Sequence, residues 1–177
     1  LTDVTGVQTC ALPILLLVIF AFPACGGQGA PGGGVQWKGY EEGMKIARSE
    51  RKPAVIDFYA SWCHWCVVME KDTFANAGVV KKLSEDFVPI KIDMESSKPI
   101  SVNGQSLKPA DFAAMMGVRG LPTIVFVDHN GEIITQIPGY IKTDTFLPLL
   151  SYIKSECYLQ HVSFKDYLEK KGDCGGK

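Results

Sequence analysis

The feature that most constrains the fold is an apolar segment that runs almost directly into a pair of closely spaced cysteines. Residues 54–60 read AVIDFYA, which is nearly all apolar and rich in residue types that favour strands. Such a segment predicts a strand that is covered on both faces, inside a parallel or mixed sheet. Residues 63–74 then have helical character, so the cysteines lie where a buried strand passes into a helix.

The motif at this junction reads Cys63-His64-Trp65-Cys66. The unpaired N–H groups and the positive dipole end of a helix N-terminus favour a thiolate on Cys63, and His64 would add partial positive charge. Cys66, about one turn further along, can attack a mixed disulfide. We therefore predict a redox centre in which Cys63 is the nucleophile and Cys66 resolves the mixed disulfide. The alternative, half of a zinc site, lacks the second pair of ligands that structural zinc needs.

Asp57 lies in the middle of the apolar segment, six residues before Cys63. Burying an unpaired carboxylate is costly, and the usual response is a raised pKa. Such a group could exchange protons with Cys66. An aspartate at the sheet margin, or one bonded to the backbone, is the alternative, and the position in the chain does not decide between them.

The rest of the chain alternates helical and strand-like segments. Helices are predicted over 40–51, 76–87, 108–116, 144–156 and 163–171, strands over 88–94, 123–128 and 132–137, and a loop over 95–107. Asn130-Gly131 predicts a hairpin between the last two strands. This order predicts an α/β domain with a central mixed sheet and helices on both faces.

The first 36 residues look unlike the domain. Residues 1–14 contain VTGVQTCALPI, which resembles a translated sequencing-library adaptor, so we interpret them as an artefact; a natural leader is the alternative. Residues 15–25 resemble the remnant of a bacterial lipoprotein signal with Cys25 as the lipidation site, while plain secretory cleavage or neither are the alternatives. Residues 26–36 are predicted to be a Gly-rich linker.

The segments DFYASWCHWC, MMGVRGLPTIVFVDHNG and IPGY together resemble the thioredoxin superfamily. The resemblance implies a thioredoxin-like domain over residues 37–157, followed by a C-terminal helix and tail over 158–177. It also implies a cis peptide bond between Leu121 and Pro122, in a loop that faces the cysteines and contacts substrate. The implied activity is thiol–disulfide oxidoreductase.

Two differences from thioredoxin itself affect these expectations. His-Trp stands between the cysteines where thioredoxin has Gly-Pro, so its strongly reducing potential is not implied here. The lysine that accompanies the buried aspartate in thioredoxin is expected to be replaced, near Pro89. The segment 95–107 and the tail beyond residue 156 resemble those of exported bacterial thioredoxin-like proteins. Together with the export-like leader, this resemblance implies a periplasmic or other extracytoplasmic location.

Two tryptophans and two further cysteines complete the candidate residues. Trp62 is expected to pack beneath the motif, and Trp65 to shape an apolar docking surface for peptides, with plain packing as its alternative. Cys157 and Cys174 are predicted to form a structural disulfide in an oxidising compartment. A buried free Cys157 with a disordered tail is the alternative.

These residues predict that the protein exchanges disulfides with protein thiols and disulfides and that a membrane-bound redox partner recharges its cysteines. They do not decide whether it reduces, oxidises or isomerises its substrates. The net charge of −1 argues against a nucleic-acid partner. We expect no cofactor, no metal, a monomeric state and a lipid anchor on Cys25. The alternatives are a non-catalytic client-binding or chaperone module, and a peroxide or haem-maturation specialist of the same fold.

Overall fold

The structure, a computed structural model, describes residues 33–102 and 104–175. The expectations for the adaptor-like residues 1–14, the signal remnant and Cys25 lie outside these residues. The helices are α1 (Tyr40–Glu50), α2 (His64–Met69), α3 (Ala77–Asp86), α4 (Pro109–Met115), α5 (Thr143–Lys154) and α6 (Phe164–Glu169). The strands are β1 (Ala54–Tyr59), β2 (Val88–Asp93), β3 (Ile100–Val102), β4 (Gln105–Leu107), β5 (Thr123–Val127) and β6 (Ile133–Pro138).

Strand β1 is the centre of the main sheet. The strand order is β2-β1-β5-β6, and β1 pairs in parallel with β2 and antiparallel with β5. Every residue of β1 is buried except the last, Tyr59, which is half-buried. The near-continuous apolar sequence had predicted a strand covered on both faces, and the structure confirms it, together with the mixed sheet.

Helices cover both faces of this sheet. On one face, Val55 and Phe126 join a core cluster with side chains from α3 and α5. On the other face, Ile56 and Phe58 pack in a second cluster with residues of α1 and α4. Successive strand residues point to opposite faces, so β1 supplies both clusters in alternation. The predicted layers are therefore confirmed, and Asp57 belongs to the face covered by α3 and α5.

The hairpin between β5 and β6 is organised by Asp128. Its Oδ1 accepts hydrogen bonds from the N–H groups of Asn130 at 2.8 Å and of Glu132 at 2.9 Å. Gly131 has a φ of +98°, a conformation that glycine adopts without steric cost. The predicted hairpin is confirmed.

Two predicted segments differ from the structure. Residues 95–107 are not all loop, because β3 and β4 pair with each other over three residues each and Ile100 is buried in the α1-side core. The helix predicted over 63–74 changes at Glu70 into a π-helical turn, Glu70–Phe74. Strands of three residues are too short to give a period-2 signal, and a single π-turn at the end of an α-helix does not produce a separate period in the apolar residues.

The C-terminal segment packs on the core cluster of α3 and α5. Tyr167 of α6 is 5% exposed, and Ser163 caps α6 by accepting the N–H of Asp166 at 3.1 Å. The sulfur atoms of Cys157 and Cys174 lie within bonding distance, with their Cα atoms 5.2 Å apart. Across the described ranges, no helix has both the length and the apolar character required to cross a bilayer.

We predict that Cys174→Ser destabilises the oxidised protein. A disulfide that closes a loop of this length lowers the entropy of the unfolded chain, which corresponds to about 3 kcal/mol of free energy of unfolding. Urea unfolding of the wild type and the variant should therefore differ by about that amount. The same pair measured in a strong reductant should unfold at nearly the same urea concentration. An equal difference in both buffers would show that the two cysteines are not bonded.

Candidate active site

The cysteine pair lies at the carboxyl end of β1, where the chain turns into α2. The N–H of Cys63 donates to the carbonyl oxygen of Ala60 at 3.1 Å, which closes the turn. Cys63 is the N-cap of α2, and its Sγ accepts the N–H of Cys66 at 3.2 Å. The two cysteines are joined as a disulfide, and they are 5% and 8% exposed. The nucleophile predicted from sequence thus lies on the positive end of a helix.

The loop before β5 reaches the same place. The peptide bond between Leu121 and Pro122 is cis. Leu121 packs against the small cluster that contains Cys63 and Cys66, while Pro122 is buried. The carbonyl oxygen of Pro122 accepts the N–H of Gly139 at 2.8 Å, so the two loops that flank the cysteines are tied together. The structure therefore brings both candidate substrate-contact residues to the redox centre.

Both tryptophans of the motif are exposed. Trp62 is 70% exposed and Trp65 is 54% exposed. The expectation that Trp62 packs beneath the motif is wrong, because Trp62 occupies the outer corner of the turn that Ala60 and Cys63 close. His64, the first residue of α2, is also exposed, with its ring 5.5 Å from that of Trp65. These side chains form an aromatic surface around the nearly buried cysteines.

Tyr140 is a site residue that sequence reasoning missed. Its ring lies 5.5 Å from that of Trp65, at an angle of 33°. The loop that carries Tyr140 is fixed to the π-turn, because Thr143 donates its hydroxyl to the carbonyl oxygen of Asp72 at 2.8 Å. Tyr140 ends the IPGY segment that contributes to the family resemblance, but nothing in that segment predicts its contact with Trp65, which depends on how the β6–α5 connection meets α2.

Asp57 is buried in the middle of β1. It is 3% exposed, and none of the residues that the structure describes offers its Oδ1 a hydrogen bond. Burial raises the pKa of Asp57 to about 7, although the neighbouring Lys91 ammonium lowers it. Of the two alternatives left open by the sequence, the structure thus gives the buried carboxyl and not a margin aspartate.

A lysine does accompany this aspartate, contrary to the expectation that it is replaced. Lys91 lies on β2 directly opposite Asp57 in the parallel pairing, two residues after Pro89. Its Nζ is 3.8 Å from Asp57 Oδ2 and donates a hydrogen bond to Glu70 Oε2. The sequence position of Lys91 carries no sign of this contact, because the register between β1 and β2 creates it. A lysine among the apolar residues of this strand is unusual, but that alone does not identify Asp57 as its partner.

Burial raises the pKa of Asp57 by more than the charge of Lys91 lowers it. The ammonium bonds to Glu70 and stands farther from Asp57, so it compensates only part of the desolvation of the aspartate. The negative charge of Glu70 acts in the same direction as burial and raises the pKa of Asp57. Glu70 also connects this group to the redox helix, since its backbone N–H is bonded to the carbonyl oxygen of Cys66.

Comparison with known proteins indicates a family. A sequence model of the thioredoxin-like domain matches residues 40–154. The thiol:disulfide interchange protein DsbD of Actinobacillus pleuropneumoniae is 33% identical to this chain over 111 residues, which are 62% of this chain and 18% of that protein. The chain thus spans less than a fifth of this relative.

Two solved structures are similar along most of their own length. The C-terminal domain of Neisseria meningitidis DsbD in the reduced form has a TM-score of 0.51 and 26% identity, covering 62% of this chain and 90% of that one. DsbH oxidoreductase has a TM-score of 0.54 over 71% of this chain and 85% of that one. Its identity of 23% supports the fold alone.

We predict that Asp57 makes stability fall as the pH rises. Its folded pKa of about 7 lies above the usual 3.8, so the unfolded chain loses this proton first, and stability is lost between about pH 4 and pH 7. The loss is about 4 kcal/mol from this difference in pKa. Asp57→Asn should remove this decline in urea unfolding of the oxidised protein. Asp72→Asn, which removes an exposed carboxylate near the same site, should keep it.

If Asp57→Asn and the wild type lose stability in parallel over this pH range, the proton is not held by Asp57.

Proposed function

Because the chain belongs to the thioredoxin-like domain family, we propose that it catalyses thiol–disulfide exchange on protein substrates, with Cys63 as the nucleophile and Cys66 as the resolving thiol. The observation that carries the proposal is one juxtaposition. The Cys63–Cys66 disulfide at the N-terminus of α2 lies against the loop with the cis bond between Leu121 and Pro122. The relatives named as thiol:disulfide interchange proteins support the same chemistry.

In the reducing direction, the thiolate of Cys63 attacks one sulfur of a substrate disulfide. A Cys63–substrate disulfide forms and the other substrate sulfur leaves as a thiolate. Asp57 accepts the proton of Cys66, whose thiolate then attacks the Sγ of Cys63, forms the Cys63–Cys66 disulfide and releases the second substrate sulfur as a thiolate. Two electrons have passed from the dithiol to the substrate. The oxidising direction uses the same atoms in reverse, and the redox partner sets the direction.

Asp57 is suited to this proton transfer because its pKa of about 7 lies near neutral pH. Its Oδ1 accepts no hydrogen bond from residues 33–102 or 104–175, so this oxygen is available to take the proton. His64 would contribute partial positive charge from the first residue of α2.

We place this activity outside the cytoplasm, with the protein anchored through a lipid on Cys25 and recharged by a membrane-bound redox partner. The apolar run and Ala-Cys-Gly of residues 15–26 support the anchor. The proximity of Cys157 and Cys174 supports an oxidising compartment, since disulfides persist there.

We predict that Cys63→Ser abolishes the reduction of insulin by dithiothreitol above the uncatalysed rate, because serine cannot form the mixed disulfide. Cys174→Ser is the matched control and should retain catalysis, since it removes a cysteine at the far end of the chain. In Cys66→Ala, the mixed disulfide on Cys63 should persist and be visible on a non-reducing gel. Equal insulin reduction by the wild type and Cys63→Ser would contradict the proposal.

The exposed aromatic surface favours a second candidate function, which is the holding of clients without turnover. Trp62, Trp65 and Tyr140 present apolar area beside the cysteines, as a docking surface does. A protein with both Cys63→Ala and Cys66→Ala keeps this surface. If it protects a client from aggregation as well as the wild type, and the wild type does not reduce insulin, then holding is the function.

We predict that Trp65→Ala weakens the use of protein disulfides. Loss of a central aromatic contact should raise KM for insulin about tenfold, which corresponds to about 1.4 kcal/mol. The KM for a small disulfide such as oxidised glutathione should change less, because it covers less of the surface. Steady-state kinetics with both substrates test this. An equal change in the two KM values would show that Trp65 acts on the cysteines and not on docking.

A further inference from the structure

The ammonium of Lys91 lies between two aromatic rings. Its Nζ is 5.1 Å from the ring centroid of Trp37 and 4.7 Å from that of Tyr59. The face of an aromatic ring attracts a cation at such distances, and the attraction grows when water is excluded. The Lys91 side chain is 20% exposed, so the two rings replace much of its hydration.

Trp37 is held in this position by the backbone. The N–H of Lys38 donates to the carbonyl oxygen of Pro89 at 2.9 Å, and the N–H of Lys91 donates to the carbonyl oxygen of Lys38 at 3.0 Å. These bonds pair the segment before α1 with the edge of β2 opposite to the edge that is paired with β1. The ring of Trp37 also packs edge-on against Phe74, with centroids 4.8 Å apart.

Carboxylates complete the surroundings of the ammonium. Asp57 of β1 and Glu70 of the π-turn are its two ion-pair partners. Among the described residues, the charges of Lys91, Asp57, Glu70 and Asp93 all act on Tyr59 at the end of β1. The Lys38 ammonium is engaged elsewhere, 3.1 Å from Glu42. Glu70 is 46% exposed, so an ammonium bound to Glu70 alone could move towards solvent.

We propose that Trp37 is a positioning residue of the redox centre, which together with Tyr59 holds the Lys91 ammonium beside Asp57. Lys91 is thereby kept close enough to favour the ionised form of the buried carboxylate. Residue 37 lies before residues 40–154, which the family model matches. Its catalytic consequence rests on the proposed exchange function, whereas the positioning itself rests on these contacts.

Loss of Trp37 should raise the pKa of Asp57, because burial and Lys91 act on this pKa in opposite directions. Burial raises the pKa of Asp57 and Lys91 lowers it. A lysine released by the loss of Trp37 would spend more time near Glu70 and solvent. Lys91 would then lower the pKa of Asp57 less, and this pKa would rise above its present value of about 7.

The test is the titration of Asp57 in the reduced full-length chain, followed through its carboxyl ¹³C resonance. Trp37→Leu should move the midpoint upward by about half a pH unit, as expected for the loss of one cation–π contact. Trp37→Phe, which keeps a ring face, should restore most of the wild-type midpoint. Tyr59→Leu removes the other ring and should shift it in the same direction, which keeps the test available if Trp37→Leu does not fold.

A double-mutant cycle separates positioning from packing. Lys91→Met should raise the midpoint more than Trp37→Leu does, and adding Trp37→Leu to Lys91→Met should produce no further shift. An equal shift with and without Lys91, no shift, or a downward shift caused by water entry would overturn the proposal. The titration needs no turnover, so it reports on Trp37 even if insulin reduction fails in the wild type.

Discussion

The burial of β1 on both faces and along both edges is the constraint on which the rest of the structure depends. Its neighbours β2 and β5 satisfy its backbone, and helices on either side cover its side chains. Because β1 is covered on both faces and paired on both edges, the chain reaches the surface only where the strand ends, at the turn that begins with Ala60. The cysteines are therefore presented at the edge of a rigid core, at the N-terminus of α2. Their geometry is fixed by the packing of a strand that carries no thiol.

The same enclosure gives Asp57 its chemistry. Alternation along β1 turns Asp57 to the face of α3 and α5, where water is excluded and the carboxylate form is penalised. A dedicated salt bridge would cancel this penalty and hold the carboxylate ionised. Instead Lys91 is shared with Glu70, which takes the hydrogen bond. The incomplete compensation is what leaves the pKa of Asp57 near neutral pH, in the range useful for proton transfer.

The elements that could be predicted from sequence are those whose signal is local. The apolar run of β1, the turn at Asn130-Gly131 and the capping serine of α6 each carry their cause within a few residues. The same holds for the placement of the cysteines on a helix N-terminus. Contacts created by register or by loop packing had no such signal. Lys91 meets Asp57 through strand pairing, Tyr140 meets Trp65 through the meeting of two connections, and Trp62 is exposed because a turn points it outward.

The range that the family model matches contains the site residues, whereas part of the packing around the site comes from residues outside that range. Residues 40–154 contain the cysteines, Asp57 and the loop with Pro122. Trp37 lies before this range and Tyr167 after it, yet both pack on the core cluster that also receives α3 and α5. Asp57 faces the same cluster. Trp37 and Tyr167 therefore extend the apolar packing on the face of the sheet where Asp57 is buried.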